Sequence, residues 1–387
     1  MGRVWQLVDD AHNVLNFSHH QRRRGVRLFS PKTSTLIPGI TRNHRKGPHE
    51  MPENVNRQWI LKTRPDGMPK ESDLDLIESP IPEPKHGEVL VKNLWMSIDP
   101  YMRGRLRDGP SYAPPVAIGG VLQGESVGRV MESRLDGFKA GDIVRGHIGW
   151  QEYGTLGITG AHVVDTSLGP ISTSIGVLGM PGLTAYFGLL EVNRPQAGDT
   201  IVVSAASGAV GAIVGQLAKI MGCRAVGIAG SDEKVSYIVD ELGFDAGINY
   251  KTQDVSAAIA ENCPNGVDGY FDNVGGEITE AVMPHFNLYA RMAICGRISE
   301  YNDDLPSMGP RVMRYVHAAQ ATVEGFLVFR WADRYEEGRA RLAQWVRDGQ
   351  IKYKEDVVEG FENSAKAFIG QLGGANFGKL LIKVSDE

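Results

Sequence analysis

The chain has 387 residues, of which 42% are hydrophobic and 22% charged, with a formal net charge of −5. This composition is typical of a globular protein with a large core; no stretch reaches the roughly 18 apolar residues of a membrane span, and the acidic balance gives no basic footprint for nucleic acid. The three separated cysteines, Cys223, Cys263 and Cys295, exclude a four-cysteine zinc site within one chain and disfavour a disulfide framework, so we expect a cytoplasmic protein.

The first 50 residues form a basic segment, with nine Lys and Arg against three Asp and Glu. Because they lack a sustained amphipathic period, we predict a disordered extension over residues 1–50, upstream of a start near Met51. Two alternatives remain for this segment. A transit peptide would suit QRRRGVRLF, but Asp9 and Asp10 argue against it, and a basic nucleic-acid-binding arm would find no continuation in the acidic body.

The first predicted domain covers residues 51–180, and within it about residues 57–165 read as short β-strands separated by Gly, Pro and Asp. The segments are RQWILKTRP, GEVLVKNLWMSID, GVLQGESVGRVMES, DIVRGHIGW, EYGTLG and HVVD. This pattern predicts an antiparallel, partly barrel-like domain.

Strands and helices alternate over residues 181–335. The strand GDTIVVSAASG is followed by the helix AVGAIVGQLAKIMG, the strand CRAVGIAGS and the helix DEKVSYIVDELG, and the alternation continues to ARMAICGRIS. Strands joined by helices of this length predict βαβ units and a parallel sheet.

The tail, residues 336–387, has a different pattern of predicted helices and strands. YEEGRARLAQWVRDGQ reads as an amphipathic helix, and SAKAFIGQLGGANFGKLLIKV as a helix, a glycine turn and a final strand. Such a strand can return to the first domain instead of extending the parallel sheet.

The loop between the first strand and helix of the second domain reads SAASGAVG. Gly208 and Gly211 take the second and third positions of the G-x-G-x-x-G pattern, and Ala206 takes the first. The loop can place a phosphate at the free N–H groups of the helix N-terminus, or it is only a tight turn that packs a helix on a sheet. The strand before it, the helix after it and the interval to the next strand favour the phosphate site.

The end of the second strand indicates which nucleotide binds. Sites for NAD usually carry Asp or Glu there, which bonds the ribose 2′-hydroxyl and would repel a 2′-phosphate. This chain has Gly230 and Ser231 at that point, with Lys234 in the first turn of the next helix. The sequence therefore predicts NADP(H) as the cofactor.

A zinc-dependent hydride transfer would need Cys, His and carboxylate ligands. In the candidate region LQGESVGRV, Gln123 stands just before Gly124 and Glu125, and glutamine is a poor zinc ligand. The histidines beyond the first 50 residues form no close pair with a cysteine; they are His86, His147, His162, His285 and His317. We predict no metal site and a metal-free hydride transfer.

Without a metal, nothing stabilises the alkoxide of a simple alcohol, whereas a conjugated C=C bond accepts hydride to give a delocalised enolate that hydrogen bonds can hold. Tyr301, in CGRISEYN, follows a predicted strand whose end should lie beside the cofactor. Its hydroxyl is a candidate catalytic donor to the enolate oxygen, together with a ribose hydroxyl of the cofactor. The alternative is that Tyr301 is an ordinary loop aromatic.

A series of blocks resembles one known family. They are MSIDPYMRGRL, VLGMPGLTAYFGLLEV, AASGAVG, GSDEKV, FDNVGG, ICGRISEYN, VEGFLVFRW and NFGKLL. In this order they are similar to the zinc-independent medium-chain reductases, in the branch of leukotriene B4 dehydrogenase, prostaglandin reductase and alkenal double-bond reductase, including bacterial curcumin-reductase-like proteins. The resemblance covers the chain from about residue 57 to its end.

The resemblance implies a set of cofactor-binding residues. Gly208, Ala209, Val210 and Gly211 would hold the pyrophosphate, and Lys234 and Tyr250 the adenosine phosphate, next to Gly230 and Ser231 at the strand end. The remaining members would line the ribose and nicotinamide: Met180, Thr184, Asn273, Cys295, Gly296, Ile298, Ser299, Phe326, Leu327, Val328 and Asn376. Met180, Phe326 and Cys295 can alternatively be core residues.

Two further positions keep alternatives open. Tyr101, in DPYMRG, either contacts the substrate or packs against the barrel. Arg297 stands in CGRIS where related sequences commonly have a small or apolar residue, and it either adds a positive charge near a phosphate or carboxylate or points to solvent.

The resemblance implies an α/β fold with a GroES-like β-rich catalytic domain and a Rossmann doubly wound parallel-sheet cofactor domain. The expected protein is a cytoplasmic, homodimeric oxidoreductase that uses NADPH to reduce a small-molecule α,β-unsaturated aldehyde or ketone, with no nucleic-acid or membrane partner. An NADPH quinone reductase and a non-catalytic NADPH-binding sensor or structural protein are the alternatives.

Overall fold

The computed structural model of the chain describes residues 55–109, 111–303 and 308–387. The predicted extension over residues 1–50 lies outside the described residues. None of the described helices is both long and apolar enough to cross a bilayer.

The strands of the first part of the chain pair antiparallel, and the last two strands, β14 and β15, which are parallel to each other, join one of its sheets. A two-stranded sheet consists of β1 (Val55–Leu61) and β2 (Leu74–Pro80). A seven-stranded sheet has the order β14-β15-β3-β4-β5-β7, with β6 also paired to β3. Its strands are β3 (Glu88–Ser97), β4 (Ser126–Ser133), β5 (Ile143–Gly146), β6 (Tyr153–Gly157), β7 (His162–Val163), β14 (Glu355–Glu359) and β15 (Lys379–Lys383). Short strands separated by turn residues thus form the β-rich domain.

The end of the chain joins the β-rich domain. β15 pairs antiparallel with β3, where Leu381 lies opposite Ser97. Beside this pairing the buried Nζ of Lys379 donates to Asp99 Oδ1 at 3.0 Å and to Ile98 O at 2.8 Å. A buried lysine requires such a fully bonded environment, so this ion pair fixes the start of the short 3-10 helix Pro100–Leu106.

The middle of the chain forms a six-stranded parallel sheet of order β10-β9-β8-β11-β12-β13. Its strands are β8 (Thr200–Val203), β9 (Arg224–Ala229), β10 (Ala246–Asn249), β11 (Val267–Asp272), β12 (Phe286–Ile294) and β13 (Thr322–Gly325). The α-helices of the whole described chain are α1 (Met180–Phe187), α2 (Gly211–Ile220), α3 (Asp232–Ser236), α4 (Val255–Asn262), α5 (Gly276–Val282), α6 (Met313–Ala318), α7 (Tyr335–Arg347) and α8 (Ser364–Leu372). The predicted α/β fold is confirmed.

Both faces of the parallel sheet are covered by helices. All four residues of β8 are buried: Ile201 and Val203 pack in the cluster that contains α2, whereas Val202 packs in the cluster that contains α4. A strand buried on both faces has no polar alternation. The chain order reverses between β8 and β11, and doubly wound sheets bind ligands at the carboxyl ends of the strands beside such a reversal.

Candidate active site

The loop after β8 leaves the start of α2 open. Ala205 has φ 49°, and Gly208 N–H donates to Ala205 O at 2.9 Å. A Cβ at Gly211 would lie 2.4 Å from Ala205 O, so glycine is needed for α2 to begin this close to the turn. Ala212 N–H donates to Gly208 O at 3.0 Å, but the N–H groups of Val210 and Gly211 have no backbone acceptor among the described residues. These groups can bind an anion.

Ala206, at the first position of the pattern, does not face the open side of the loop. It is fully buried, and its N–H donates to Ile228 O of β9 at 2.9 Å. On the other side of the loop, Gly208 forms a parallel bridge with Gly378. Asn376 Nδ2 donates to Gly378 O at 3.0 Å, so the structure brings this predicted tail residue next to the loop.

A small cleft lies at this contact between the domains. Residues of both domains line it, among them Ser207, Ala209, Tyr353 and Lys354. Clefts between domains are common ligand sites. The phosphate loop therefore borders this cleft on the side that the C-terminal strands approach.

Gly230, Ser231, Lys234 and Tyr250 form one corner at the end of β9. Ser231 Oγ caps α3 by accepting from Lys234 N–H at 3.2 Å. A Cβ at Gly230 would lie 3.0 Å from the Tyr250 ring, which is 42% exposed. The carboxylate that follows, Asp232, accepts from Asn249 Nδ2 at 2.7 Å. The corner thus presents backbone, a hydroxyl and a phenol ring without an acidic group at the strand end.

Two lysines give this corner a positive charge. Lys234 Nζ donates to Gly374 O at 2.9 Å, and Lys251 Nζ lies 6.0 Å from the centroid of the Tyr250 ring. Burial, followed by the charge of Lys251, lowers the pKa of Lys234. No ion pair joins either lysine to a carboxylate in the described part of the chain. An incoming phosphate would relieve the repulsion between the two cations.

Asp272, the last residue of β11, organises the centre of the site. Its buried carboxylate accepts five hydrogen bonds, from Ser204 Oγ, Tyr270 Oη, Thr279 Oγ1 and the N–H groups of Val274 and Gly275. Asn273 follows it, and its N–H and Nδ2 donate to Ser204 Oγ and Ser204 O, both at 2.8 Å. Because Ser204 starts the phosphate loop, these bonds fix Asn273 against that loop.

The segment from Cys295 to Tyr301 is bonded to the residues at and after the end of β11, Asp272 to Val274. The N–H groups of Cys295 and Gly296 donate to Asp272 O at 2.8 and 3.1 Å. Further along, Ile298 N–H donates to Asn273 O at 3.4 Å, and Ser299 Oγ donates to Val274 O at 2.6 Å. The structure therefore brings Asn273, Cys295, Gly296, Ile298 and Ser299 together, at the carboxyl ends of β11 and β12.

Tyr301 is the point where this segment meets the β-rich domain. A Cβ at Gly296 would lie 3.3 Å from Tyr301 Oη, so the hydroxyl returns to the start of its own segment. Arg107 Nη2 donates to Tyr301 O at 2.7 Å, and Arg103 Nε donates to Asn302 Oδ1 at 3.0 Å. Both arginines come from the stretch that also carries Tyr101. Tyr301, the predicted donor, and Tyr101, the predicted substrate contact, therefore lie on two segments that are joined by hydrogen bonds.

Burial sets the protonation state of the groups near Tyr301. It raises the pKa of Tyr301, against the hydrogen bond from Arg297 N–H that lowers it. Burial, and then the charge of Asp272, raises the pKa of the Cys295 thiol to about 12. Burial and the charge of Asp99 raise the pKa of Tyr101 well above its usual value. At neutral pH all three are protonated, so Tyr301 is a hydrogen-bond donor and Cys295 is not a thiolate.

The other predicted cofactor residues differ in exposure. Thr184 Oγ1 lies 3.5 Å from Met180 Sδ on α1. The Phe326 ring is buried, 6.0 Å from that of Phe271, and Val328 is buried as well. Leu327 between them is 40% exposed. The side chain of Phe326 therefore belongs to the core, and Leu327 is the member of this group that presents its side chain outward.

The position of Arg297 decides between its two alternatives, a positive charge near a bound phosphate or carboxylate and a side chain in solvent. Its side chain is 62% exposed and forms an ion pair with Glu300 at 2.7 Å. The guanidinium therefore lies at the surface, and its backbone N–H is the part that contacts Tyr301.

Sequence reasoning missed the residues that hold the site in place. Asp272 and Ser204 were not predicted, although Asp272 stands in FDNVGG at the end of a predicted strand, which is a signal that could have found it. Arg107 was also missed. Its bond to Tyr301 O spans the two domains, and no local pattern reports such a contact.

Comparison with known proteins identifies the family. Residues 57–164 match a family described as the N-terminal domain of oxidoreductases, and residues 209–344 one described as zinc-binding dehydrogenase. The Bacillus subtilis protein named "Putative NADP-dependent oxidoreductase YfmJ" is 50% identical over 85% of this chain and 98% of its own length. The chain belongs to the zinc-independent medium-chain dehydrogenase/reductase family. The predicted family membership is confirmed.

Other members of this reductase family are similar over the same length. The NADPH-dependent curcumin reductase of Escherichia coli is 43% identical over 86% of this chain and 98% of its own length. The NADP-dependent 2-alkenal reductase of Nicotiana tabacum is 43% identical over 87% of this chain and 100% of its own length. The crystal structure of CurA from Vibrio vulnificus in complex with NADPH has a TM-score of 0.82 at 42% identity, covering 86% of this chain and 100% of that protein.

The word zinc in one family description has no counterpart in the residues of this reductase. Within residues 55–109, 111–303 and 308–387, no three His, Cys, Asp or Glu side chains converge as a metal site requires. The His, Cys, Asp and Glu side chains of these residues therefore do not fit a zinc ion.

Proposed function

We propose that this protein reduces the conjugated C=C bond of α,β-unsaturated aldehydes and ketones, with NADPH as the reductant. The observation that carries the proposal is the position of the Tyr301 hydroxyl beside Gly296, at the strand ends where a doubly wound sheet binds its ligand. Relatives that are 43% identical and named curcumin reductase and 2-alkenal reductase support it.

The residues of the phosphate end fit NADP(H). The unpaired N–H groups of Val210 and Gly211 would bind the pyrophosphate, and Lys234 with Tyr250 would bind the 2′-phosphate. Asn273 and the residues that follow Cys295 would border the ribose and nicotinamide. When bound, NADPH supplies the hydride.

Tyr301 acts on the substrate oxygen. When hydride reaches the β-carbon, the π electrons shift to the carbonyl oxygen and an enolate forms. The Tyr301 hydroxyl, which burial keeps protonated, donates a hydrogen bond to that oxygen, and the bond strengthens as negative charge develops there. The Asp272 network and Arg107 hold the segment in place, and the α-carbon then takes a proton from solvent.

Replacing Tyr301 with Phe removes the donor and keeps the ring. We expect kcat/KM for 3-penten-2-one to fall about 100-fold, the loss typical of one donor to a developing oxyanion, while NADPH affinity stays unchanged. A stopped-flow or steady-state assay of NADPH oxidation measures both. A quinone substrate needs no such donor and should lose less than about threefold.

The same assay separates the alternatives. An unchanged enone rate in Tyr301→Phe would remove the role of this hydroxyl. Turnover of quinones alone would instead support an NADPH quinone reductase. Binding of NADPH without turnover across enals, enones and quinones would support a sensor or structural protein.

We also propose that the protein is a homodimer that forms through β13. This strand ends the order of the parallel sheet, so one of its edges has no neighbouring strand within the described residues. Exposed apolar side chains lie on or near it, namely Leu288, Tyr289, Met313 and Val323. Such an edge favours pairing with a second chain. Analytical ultracentrifugation tests it, and a sedimentation mass of one chain would contradict it.

A cytoplasmic location is part of the same proposal. The three cysteines are free thiols, and Cys223 and Cys263 are buried. Unpaired buried cysteines are typical of proteins from a reducing compartment. Fractionation of the native host tests this location.

A further inference from the structure

A buried arginine joins separate parts of the chain next to Tyr301. Arg103 lies on the 3-10 helix Pro100–Leu106 and is fully buried. Its Nε donates to Asn302 Oδ1 at 3.0 Å, and its Nη2 donates to Gly67 O at 2.7 Å. Asn302 directly follows Tyr301, and Gly67 lies in the connection between β1 and β2. The guanidinium therefore ties the segment of Tyr301 to two segments of the β-rich domain.

The amide of Asn302 is held on both of its polar atoms. Its Oδ1 accepts the bond from the Arg103 cation, and its Nδ2 lies 3.5 Å from Met68 Sδ. A hydrogen bond from a charged donor is roughly twice as strong as one between neutral groups. The bond to Arg103 is therefore the stronger of the two contacts and sets where this amide lies.

The helix that carries this arginine is fixed at both ends. At its start Asp99 accepts from Lys379 Nζ at 3.0 Å, and both side chains are buried. Near its end Arg105 Nη1 donates to Ala113 O at 3.1 Å, and Arg105 Cζ lies 4.4 Å from the centroid of the Tyr112 ring. A helix anchored in this way gives the arginine a defined position.

The local structure around Tyr301 is weak by comparison. The single 3-10 turn Ile298–Glu300 before it has no buried residue. Tyr301 N–H donates to Ile298 O at 3.4 Å, longer than the usual 2.7–3.2 Å of such a bond. The contacts with the β-rich domain are shorter: Arg107 Nη2 donates to Tyr301 O at 2.7 Å, next to the bond to Asn302. The position of Tyr301 therefore depends on these contacts.

We propose that Asn302 is a positioning residue for the reaction, which acts through Tyr301 and not on the substrate. The inference rests on the proposed enone reduction. With its Oδ1 bound to Arg103, Asn302 keeps the Tyr301 hydroxyl at the point where the carbonyl oxygen of the substrate becomes charged. A donor that moves away from this point stabilises the enolate less, because the hydrogen bond requires a defined distance and direction.

Two variants of Asn302 differ only in the acceptor. Asn302→Ala removes it, and kcat/KM for 3-penten-2-one with NADPH should fall about tenfold, mainly through kcat. Asn302→Asp keeps an oxygen that accepts from the guanidinium, so it should keep the native rate. Reduction of 1,4-benzoquinone needs no enolate donor and should change by less than about twofold in either variant. Asn363→Ala, which removes a bond to Glu359 O at 2.8 Å, is the matched control.

A double substitution separates positioning from a general structural role. If Asn302 acts through the Tyr301 hydroxyl, Asn302→Ala should not lower the enone rate further once Tyr301→Phe has removed that hydroxyl. A full tenfold fall in the Tyr301→Phe background, or equal falls for the enone and the quinone, would overturn the inference.

Hydrogen–deuterium exchange gives a readout that needs no turnover. Mass spectrometry of the peptide that spans residues 296–303 should show faster exchange in Asn302→Ala than in the native protein and in Asn302→Asp, because the segment opens more often. Equal exchange in all three would overturn the inference while leaving the proposed reaction intact. If the native protein reduces no enone, the proposed reaction fails, and faster exchange in Asn302→Ala would still show that Asn302 fixes Tyr301.

Discussion

The two ends of the cleft are built from different parts of the chain. At the phosphate end the backbone shapes the site, through the turn at Ala205, the open start of α2 and the bridge from Gly208 to Gly378. At the substrate end side chains from two domains meet, among them Arg103 and Asn302. A site made of backbone depends on local conformation, whereas a site made of side chains can change its specificity with a single substitution.

The two ends also differ in charge. Lys234 and Lys251 give the phosphate end a positive charge without a paired carboxylate among the described residues. At the substrate end burial keeps the Tyr301 hydroxyl and the Cys295 thiol neutral by raising their pKa values. The first end is therefore suited to a ligand that arrives charged, and the second to a substrate that becomes charged only during the reaction.

The largest effect is expected from a methyl group at the phosphate end. In Gly211→Ala the new Cβ would lie 2.4 Å from Ala205 O, so the backbone of the loop must move. Overpacking of this kind costs about 1–3 kcal/mol, which corresponds to NADPH binding up to about 100-fold weaker. Titration of NADPH fluorescence measures the affinity. Gly157→Ala is the control, because its Cβ would meet its nearest atom, Gly87 O, at 3.8 Å.

Native affinity in Gly211→Ala would contradict a site shaped by the backbone. The KM for 3-penten-2-one should be less affected than the affinity for NADPH, since Tyr301 is held by Arg107 and not by the phosphate loop. Equal losses for both ligands would show that the two ends are not independent.

A smaller effect is expected from the side chain that reads the 2′-phosphate. In Lys234→Ala the ratio of kcat/KM for NADPH to that for NADH should fall about 30-fold, because one charge-assisted hydrogen bond of about 2 kcal/mol is lost. Lys219→Ala serves as the control, since Lys219 pairs with Asp245 at 2.7 Å. If the native protein uses NADPH and NADH equally well, the assignment of Lys234 is wrong.

The difference between the backbone-shaped phosphate end and the side-chain-built substrate end also explains which features the sequence could predict. The fold and the phosphate loop follow from local patterns: β8 is an unbroken apolar strand, and Gly208 and Gly211 mark the turn into α2. β13 was not predicted, because Thr322–Gly325 is largely exposed and has no apolar alternation. The contact of Arg105 with Tyr112 depends on how a loop folds back on a short helix, and no spacing rule reports that.

One helix also differs from its sequence pattern. DEKVSYIVDELG was predicted as a single helix, but α3 ends at Ser236 and the chain continues as a π-helix over Tyr237–Glu241. There Leu242 N–H donates to Tyr237 O, five residues earlier, at 3.2 Å. The apolar period of a helix is nearly the same for both geometries over one turn, so the pattern could not distinguish them.

The smallest effect is expected at Cys295, the thiol beside the reacting centre. An enone alkylates thiolates, and only the thiolate is nucleophilic. With a pKa of about 12, the thiolate fraction of Cys295 at pH 8 is roughly one part in 10,000, so an hour with iodoacetamide should leave activity nearly unchanged. Raising the pH deprotonates the thiol, so the rate of labelling should rise about tenfold per pH unit beyond pH 9 instead of levelling off there.

Peptide mapping by mass spectrometry must locate the label, because burial also raises the pKa values of Cys223 and Cys263 to about 11. A labelling rate at Cys295 that levels off near pH 9 would mean that the thiol is not shielded. The substrate end would then contain a nucleophile that its own substrates could alkylate, and the contrast between a charged phosphate end and a neutral substrate end would not hold.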